Sequence, residues 1–321
     1  MQGVPARMTA PTSPAVTLQP VQPFAWDTIL QSLRTSPGTV LERIGDTSYI
    51  RALHIDGRPT LVSVEGDLRP TRTLTITAKL GGEATGLGLS EAAAKVASHV
   101  FQTHVDTTAL DDIEDPAFAA VWAPCRGFRP VQLPTVWEAI AWAIIGQQIN
   151  VAFAARCKAA FCDAYGARLE TPSGTFTLFP TPETVAPLEE ASLHALQFSR
   201  QKARYVIGVA RAIVEGRFDP EALHALPAEV AIESLMALKG VGRWTAEYVL
   251  LRGLGYPDAL PAGDVALQRA VGLAYGLGRL ATEAEVRTYG ERWAPFRSYA
   301  TIAFWRSNAR ASGPSGGATA P

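Results

Sequence analysis

Asp264 has the setting in this chain that best suits chemistry. It lies in PAGDVALQRAV, residues 261–271, where Pro261 and Gly263 force a tight turn and a helical run begins at once. An aspartate there serves first as an N-cap, taking up free N–H groups of the helix start and offsetting its dipole. Capping and catalysis are compatible. A carboxylate held rigid, and kept ionised by the dipole, is a fixed negative charge able to stabilise a cation.

A second stretch, LKGVGRWTAEYVL at 238–250, places two glycines two apart immediately before a helix. Gly240 and Gly242 are both expected to use positive φ and to allow a close backbone approach. The N–H groups of the helix start then form a cradle for an anion, a phosphate foremost, with Arg243 the nearest cation. The ordinary alternative is a turn between two core helices. Trp244 and Tyr248 are four apart on that helix and share a face. Trp305 lies on a distant amphipathic helix. Three such aromatics usually build core, yet aromatic faces beside a fixed anion suit a flat, electron-poor ring that leaves as a neutral base.

The elements that must position these residues can be read from the pattern. TVLERI, SYIRALHI, PTLVSVEG and TLTITAKL read as four strands, joined by turns such as DGRP. FAWDTILQSLR before them and SEAAAKVASHVFQ after them read as helices, so residues 21–106 form an antiparallel α+β unit. From 107 to 311 the chain reads as roughly eight to ten helices in two lobes, by period. The helix–hairpin–helix spans about 231–252 within that core. The overall class is mainly α with an N-terminal α+β domain. Residues 1–20 and 312–321 are compositionally biased and are expected to be disordered tails.

Bulk properties narrow the function. The chain has 321 residues and a formal charge of −1, without the basic excess usual in nucleic-acid-binding proteins. Between Arg279 and Arg310, however, six arginines stand against three glutamates, enough for a locally basic face that meets a few phosphates, or for an ordinary solvated helix face. Cys125, Cys157 and Cys162 are too few for a four-cysteine metal or iron–sulfur site and fit a reducing cytosol. No run approaches about 18 apolar residues, so no membrane span is expected, and the N-terminus lacks a signal-peptide core. The five histidines are scattered and carry no assigned role.

The hairpin LKGVGRWTAEYVL followed by PAGDVAL resembles the helix–hairpin–helix DNA glycosylase superfamily, and in particular its bacterial 3-methyladenine type II branch. FAWDTIL, AIIGQQINVA, FPTPE and ERWAPFRSYATIAFW fall in the order that branch shows, from about Gln22 to Asn308. The resemblance implies an α+β domain followed by a two-lobed helical core. Asp264 stands at the place of the family's catalytic aspartate. Leu238 to Gly242, among them Gly240, Val241 and Gly242, stand at the hairpin whose amides hold a DNA phosphate. Trp244, Tyr248 and Trp305 match aromatics that line a flipped-base pocket. Gln148 occupies the loop that fills the gap left in the duplex, where the family often has leucine. The carbonyls of Met236, Leu238 and Val241 match positions that hold a monovalent cation, a structural Na+ or K+, and no other cofactor is implied.

The resemblance also implies a reaction. Strand-cutting members carry lysine where this chain has Trp244, and an indole is no nucleophile. A monofunctional hydrolase is implied, one that flips alkylated purines out of duplex DNA and starts base excision repair. It would act as a monomer in the cytoplasm at the nucleoid. Val265 replaces a frequent tyrosine and leaves the pocket more open. Two other readings remain: a glycosylase for oxidised or deaminated bases, and a non-catalytic damage-binding protein, for which a rigid carboxylate beside a polyanion has no use.

Overall fold

The computed structural model describes residues 14–67, 71–81, 83–84 and 86–311. The N-terminal unit is an antiparallel sheet of strands β1 (Val16–Leu18), β2 (Glu42–Ile44), β3 (Ser48–Ile55), β4 (Arg58–Gly66), β5 (Leu74–Leu80) and β6 (Glu83–Ala84). Their order is β1-β5-β4-β3-β2, and β6 pairs with the far end of β5. The β3–β4 hairpin turns through Asp56 and Gly57, both at positive φ (50° and 73°), as a tight hairpin turn requires. Helices α1 (Trp26–Thr35) and α2 (Leu87–Phe101) accompany the sheet. Trp26 and Tyr49 both pack edge-on against Phe101, at 4.8 and 5.1 Å between ring centroids.

The tail expected over residues 1–20 ends earlier. Val16–Leu18 is an edge strand whose residues pair with Ile76, Thr75 and Leu74, because VTL alternates and meets an open strand edge. Residues 1–13 and the tail at 312–321 lie outside the described residues.

The helical part comprises α3 (Pro116–Trp122), α4 (Val136–Gly146), α5 (Val151–Tyr165), α6 (Pro182–Val185), α7 (Glu190–His194), α8 (Arg200–Val214), α9 (Ala228–Met236), α10 (Arg243–Val249), α11 (Val265–Ala274), α12 (Glu283–Gly290) and α13 (Arg297–Ala311). A hairpin absent from the helical reading, β7 (Arg168–Thr171) with β8 (Gly174–Thr177), interrupts them. Its Leu169 and Phe176 pack on Ala52 and Leu61 of the sheet, and Arg43 stacks over Phe176 at 3.8 Å. This hairpin covers the sheet face turned away from the main core, a tertiary demand that a four-residue pattern does not reveal.

Every residue of α4 is buried, so it is the axis of the molecule. Its one charge, Glu138, meets Arg51 of β3 at 2.5 Å and Lys158 of α5 at 3.0 Å. Burial alone pushes the Glu138 carboxyl up, but the two cations bring it down to about 2. One apolar core runs from Trp26 and Ile76 in the sheet unit to Phe304 in α13. Among the described residues no helix is long and apolar enough to cross a membrane.

Candidate active site

Asp264 sits at the end of a turn closed by its own N–H to the Pro261 carbonyl at 2.9 Å. The start of α13 fixes the chain leading into that turn. Arg297 grips Asp258 with two nitrogens, at 2.7 and 2.6 Å, and Ser298 Oγ bonds the Tyr256 carbonyl and the Ala259 N–H. A paired guanidinium–carboxylate fork fixes orientation as well as distance. The same helix carries Trp305 two turns on. The RSYA segment thus aligns the aspartate loop and an aromatic wall through one rigid element.

Asp264 caps α11 as expected, its Oδ1 accepting from Leu267 N–H at 2.8 Å. Two indoles join it. Trp305 Nε1 donates to Oδ1 at 2.9 Å and Trp244 Nε1 donates to Oδ2 at 3.3 Å. The residue is only 5% exposed. Burial therefore outweighs these donors and holds the carboxyl above its ordinary range. The cap and the indole donors favour the ionised form, as the helix start implies, and desolvation opposes them and sets the direction of the shift.

The three aromatics come together. Trp244 and Tyr248 have centroids 5.7 Å apart, and Tyr248 and Trp305 6.3 Å. Trp244 and Trp305 are half-buried, whereas Tyr248 is completely buried and backs the two indoles. Both indole N–H groups are spent on Asp264, so the rings present faces rather than donors. Val265, the residue after the aspartate, is exposed.

The hairpin between α9 and α10 differs from expectation at one glycine. Gly240 has φ +96°, and a Cβ there would lie 2.2 Å from the Tyr205 ring. Gly242 has φ −94° and ψ 177°, an extended N-cap that any residue adopts, with nothing within 4 Å of an added Cβ. The strain argument belongs to Gly240, and an added Cβ at Gly242, the N-cap of α10, meets only open space. After Val249 the expected helix becomes one π-helical segment, Leu250–Leu254, ended by Gly255 at φ 71°. Gly253 makes room there for Ala139 of α4. Leu238 accepts the Val241 N–H at 3.1 Å. Met236, 44% exposed, ends α9.

Arg243 is not free. It pairs with Glu247 at 2.9 Å and Glu229 at 3.1 Å. Buried Glu247 also takes Arg287, which pairs with Glu283. Arg279, Arg292 and Arg297 pair with Glu285, Asp115 and Asp258. The basic face expected over 279–310 is largely neutralised by its own acidic partners, which the charge count does not reveal. Lys239, in the hairpin itself, is exposed and makes no ion pair among the described residues. Sequence reasoning passed over it, although L-K-G-V-G places it in the turn.

Gln148 is exposed, with φ 58°, in the loop between α4 and α5. Its neighbour Gln147, not singled out from the sequence, bridges to the hairpin, donating to the Gly240 carbonyl at 2.9 Å and to Thr245 Oγ1 at 3.1 Å. Glu247 was likewise missed. Its spacing of four from Arg243 was the available signal.

A family profile described as "HhH-GPD superfamily base excision DNA repair protein" matches residues 141–296. The DNA-3-methyladenine glycosylase of Bacillus subtilis is 34% identical over 180 residues, covering 56% of this chain and 59% of its own length. DNA-3-methyladenine glycosylase 2 of Escherichia coli is 31% identical over 286 residues, covering 88% of this chain and 94% of its own. The solved 3-methyladenine DNA-glycosylase from Archaeoglobus fulgidus superposes with TM-score 0.80 at 24% identity, over 91% of this chain and 98% of that one. The match thus spans a little over half of the Bacillus relative and nearly all of the Escherichia one. With the hairpin, the capping aspartate and the aromatic walls assembled as described, the chain belongs to the HhH-GPD superfamily of base excision DNA repair proteins, alongside the DNA-3-methyladenine glycosylases.

Proposed function

We propose that the protein is a monofunctional DNA glycosylase that hydrolyses the N-glycosidic bond of alkylated purines of the 3-methyladenine and 7-methylguanine type. The observation that carries this reading is the Asp264 carboxylate, buried and held by the Trp244 and Trp305 indole N–H groups. The target bond is unreachable inside a base stack, so the nucleotide must be flipped out. An N3- or N7-alkylated purine is cationic and leaves as a neutral base, so it needs little help from a general acid. The ring faces of Trp244 and Trp305 stack on that cation, with Tyr248 behind them. Asp264, ionised, stabilises the oxocarbenium-like sugar and orients the attacking water. The product is an abasic site.

A glycosylase for oxidised or deaminated bases is disfavoured, because reading such bases takes hydrogen-bond donors and both indole N–H groups are engaged. A binding protein without activity is disfavoured because a buried carboxylate near a polyanion costs affinity and returns nothing. The hairpin from Leu238 to Gly242 holds a DNA phosphate through Lys239 and through the backbone N–H groups other than those of Leu238 and Val241, which the Leu235 and Leu238 carbonyls take, and Gln148 fills the vacated place in the duplex. Arg243 steadies the hairpin through Glu229 and Glu247. The carbonyls of Met236, Leu238 and Val241 would hold Na+ or K+, and that cation would supply positive charge toward the phosphate. Met236 lies at the negative end of α9, and no backbone N–H bonds its carbonyl among the described residues, which suits a cation. The enzyme works as a monomer in the cytoplasm, on chromosomal DNA. Incubating it with methylated duplex DNA and identifying the released bases tests the reading. Release of 3-methyladenine and 7-methylguanine is expected, and release of neither sinks it.

A further inference from the structure

We propose that Gln147 is a positioning residue that locks the Gln148 loop to the hairpin, so that the duplex gap is filled at a fixed distance from the gripped phosphate. This rests on the glycosylase reading above. Two stretches far apart in sequence, the end of α4 and the hairpin that leads into α10, meet at one carboxamide. Gln147 ends α4 at the buried axis of the molecule, its own N–H bonded to Ile144 at 3.3 Å. Its side chain crosses to Gly240 in the hairpin and to Thr245 in α10. Gly240 O can only accept, so the nitrogen end of the carboxamide must face it, and the orientation is fixed by chemistry.

Both anchors are themselves packed in place. Thr245 is 2% exposed. Gly240 is packed on Tyr205, and α8 is tied to the end of α4 by Lys202 Nζ on the Ile145 carbonyl at 2.7 Å. On its other side, Gln147 is followed directly by Gln148 at φ 58° and then by Asn150, which caps α5 through Phe153 N–H at 2.9 Å. The loop that carries Gln148 is therefore four residues long, pinned at one end by the α5 cap and at the other by Gln147. Phosphate grip and base expulsion occur at two points of one duplex, and a shift of an ångström between them misplaces the flipped nucleotide.

The test uses Gln147→Glu, which keeps length and loses the donor, with Gln147→Leu as a control free of charge. In the free protein, amides of residues 147–150 and 238–242 should exchange hydrogen faster in both variants, with melting temperature little changed. Binding is then measured to a duplex holding a tetrahydrofuran abasic analogue. Gln148→Ala should weaken it about tenfold in the wild-type background and under about twofold beside Gln147→Glu, a coupling expected of groups that act together. Unchanged exchange, or equal losses in both backgrounds, overturns the proposal. Failure of the wild-type protein to release bases from methylated DNA overturns the glycosylase reading instead, and the exchange data still decide whether Gln147 couples the two segments.

Discussion

Trp305 Nε1 donates to Asp264 Oδ1 at 2.9 Å, joining a helix near the end of the chain to a turn 41 residues earlier. The same oxygen takes the Leu267 N–H. One carboxylate oxygen is thus both a helix cap and the partner of an aromatic wall, and the other faces Trp244. Holding a buried anion with N–H donors alone leaves its charge uncancelled, which a cationic transition state can use.

Asp264→Asn should fold. Its carbonyl oxygen can keep the Leu267 and Trp305 bonds, while the amide loses the Trp244 bond. Excision should fall on the order of 10²–10³-fold, as for loss of one preorganised electrostatic group. DNA binding should hold or tighten. Base release from methylated DNA at the wild-type rate would remove Asp264 from the mechanism.

The pH profile carries a sign. Burial raises the Asp264 carboxyl in the folded protein. The ionised, active form is therefore lost as pH falls through a value above the ordinary carboxylate range, and the acid limb of single-turnover excision should sit there. The stability effect runs the opposite way. Ionisation in the folded state is disfavoured, so this group's contribution declines as pH rises from the unfolded pKa through the raised folded one. Asp264→Asn should accordingly gain melting temperature relative to wild type as pH rises.

Trp305→Phe keeps a ring and removes one donor. Losing that hydrogen bond to the ionised form should move the acid limb further up. An unmoved limb, with the variant folded, would show that the indole N–H does not tune the carboxylate.

The two hairpin glycines should separate. Gly240→Ala must adopt φ near +96° and meet the Tyr205 ring. It should lose stability by about 1–3 kcal/mol, the usual cost of such strain. Gly242→Ala should melt as wild type does and yet bind duplex DNA more weakly for every sequence, if the backbone at this N-cap closely approaches a phosphate. Unchanged affinity would make the hairpin a core turn only. Wild-type affinity should fall with salt at a log–log slope of roughly −3 to −4.5, for three to five phosphates. Fluorescence anisotropy across a salt series reads both.

Borohydride should trap no covalent adduct with DNA holding an abasic site, because Trp244 replaces the amine that strand-cutting relatives carry. A trapped adduct would point to Lys239, the exposed amine of the hairpin, and end the monofunctional reading.

Local pattern and family likeness determined much of this protein from sequence alone. Alternation and the Asp56–Gly57 turn located four strands. The i, i+4 spacing put Trp244 and Tyr248 on one face, and the turn before α11 made Asp264 a cap. Each is a short-range consequence of backbone geometry. What the sequence could not carry depends on which distant surfaces meet. Val16–Leu18 is a strand only because β5 has an open edge, and β7–β8 exists to cover the outer sheet face. Gly242 needed no positive φ, because the turn is spent at Gly240 above Tyr205. Arg279, Arg287, Arg292, Arg297 and Arg243 found acidic partners that a charge count treats as independent. Above all, the protonation balance of Asp264 is set by how deeply the fold buries it and by two indoles brought from 20 and 41 positions away. Desolvation and side-chain meeting are properties of packed surfaces, and only the tertiary structure fixes them.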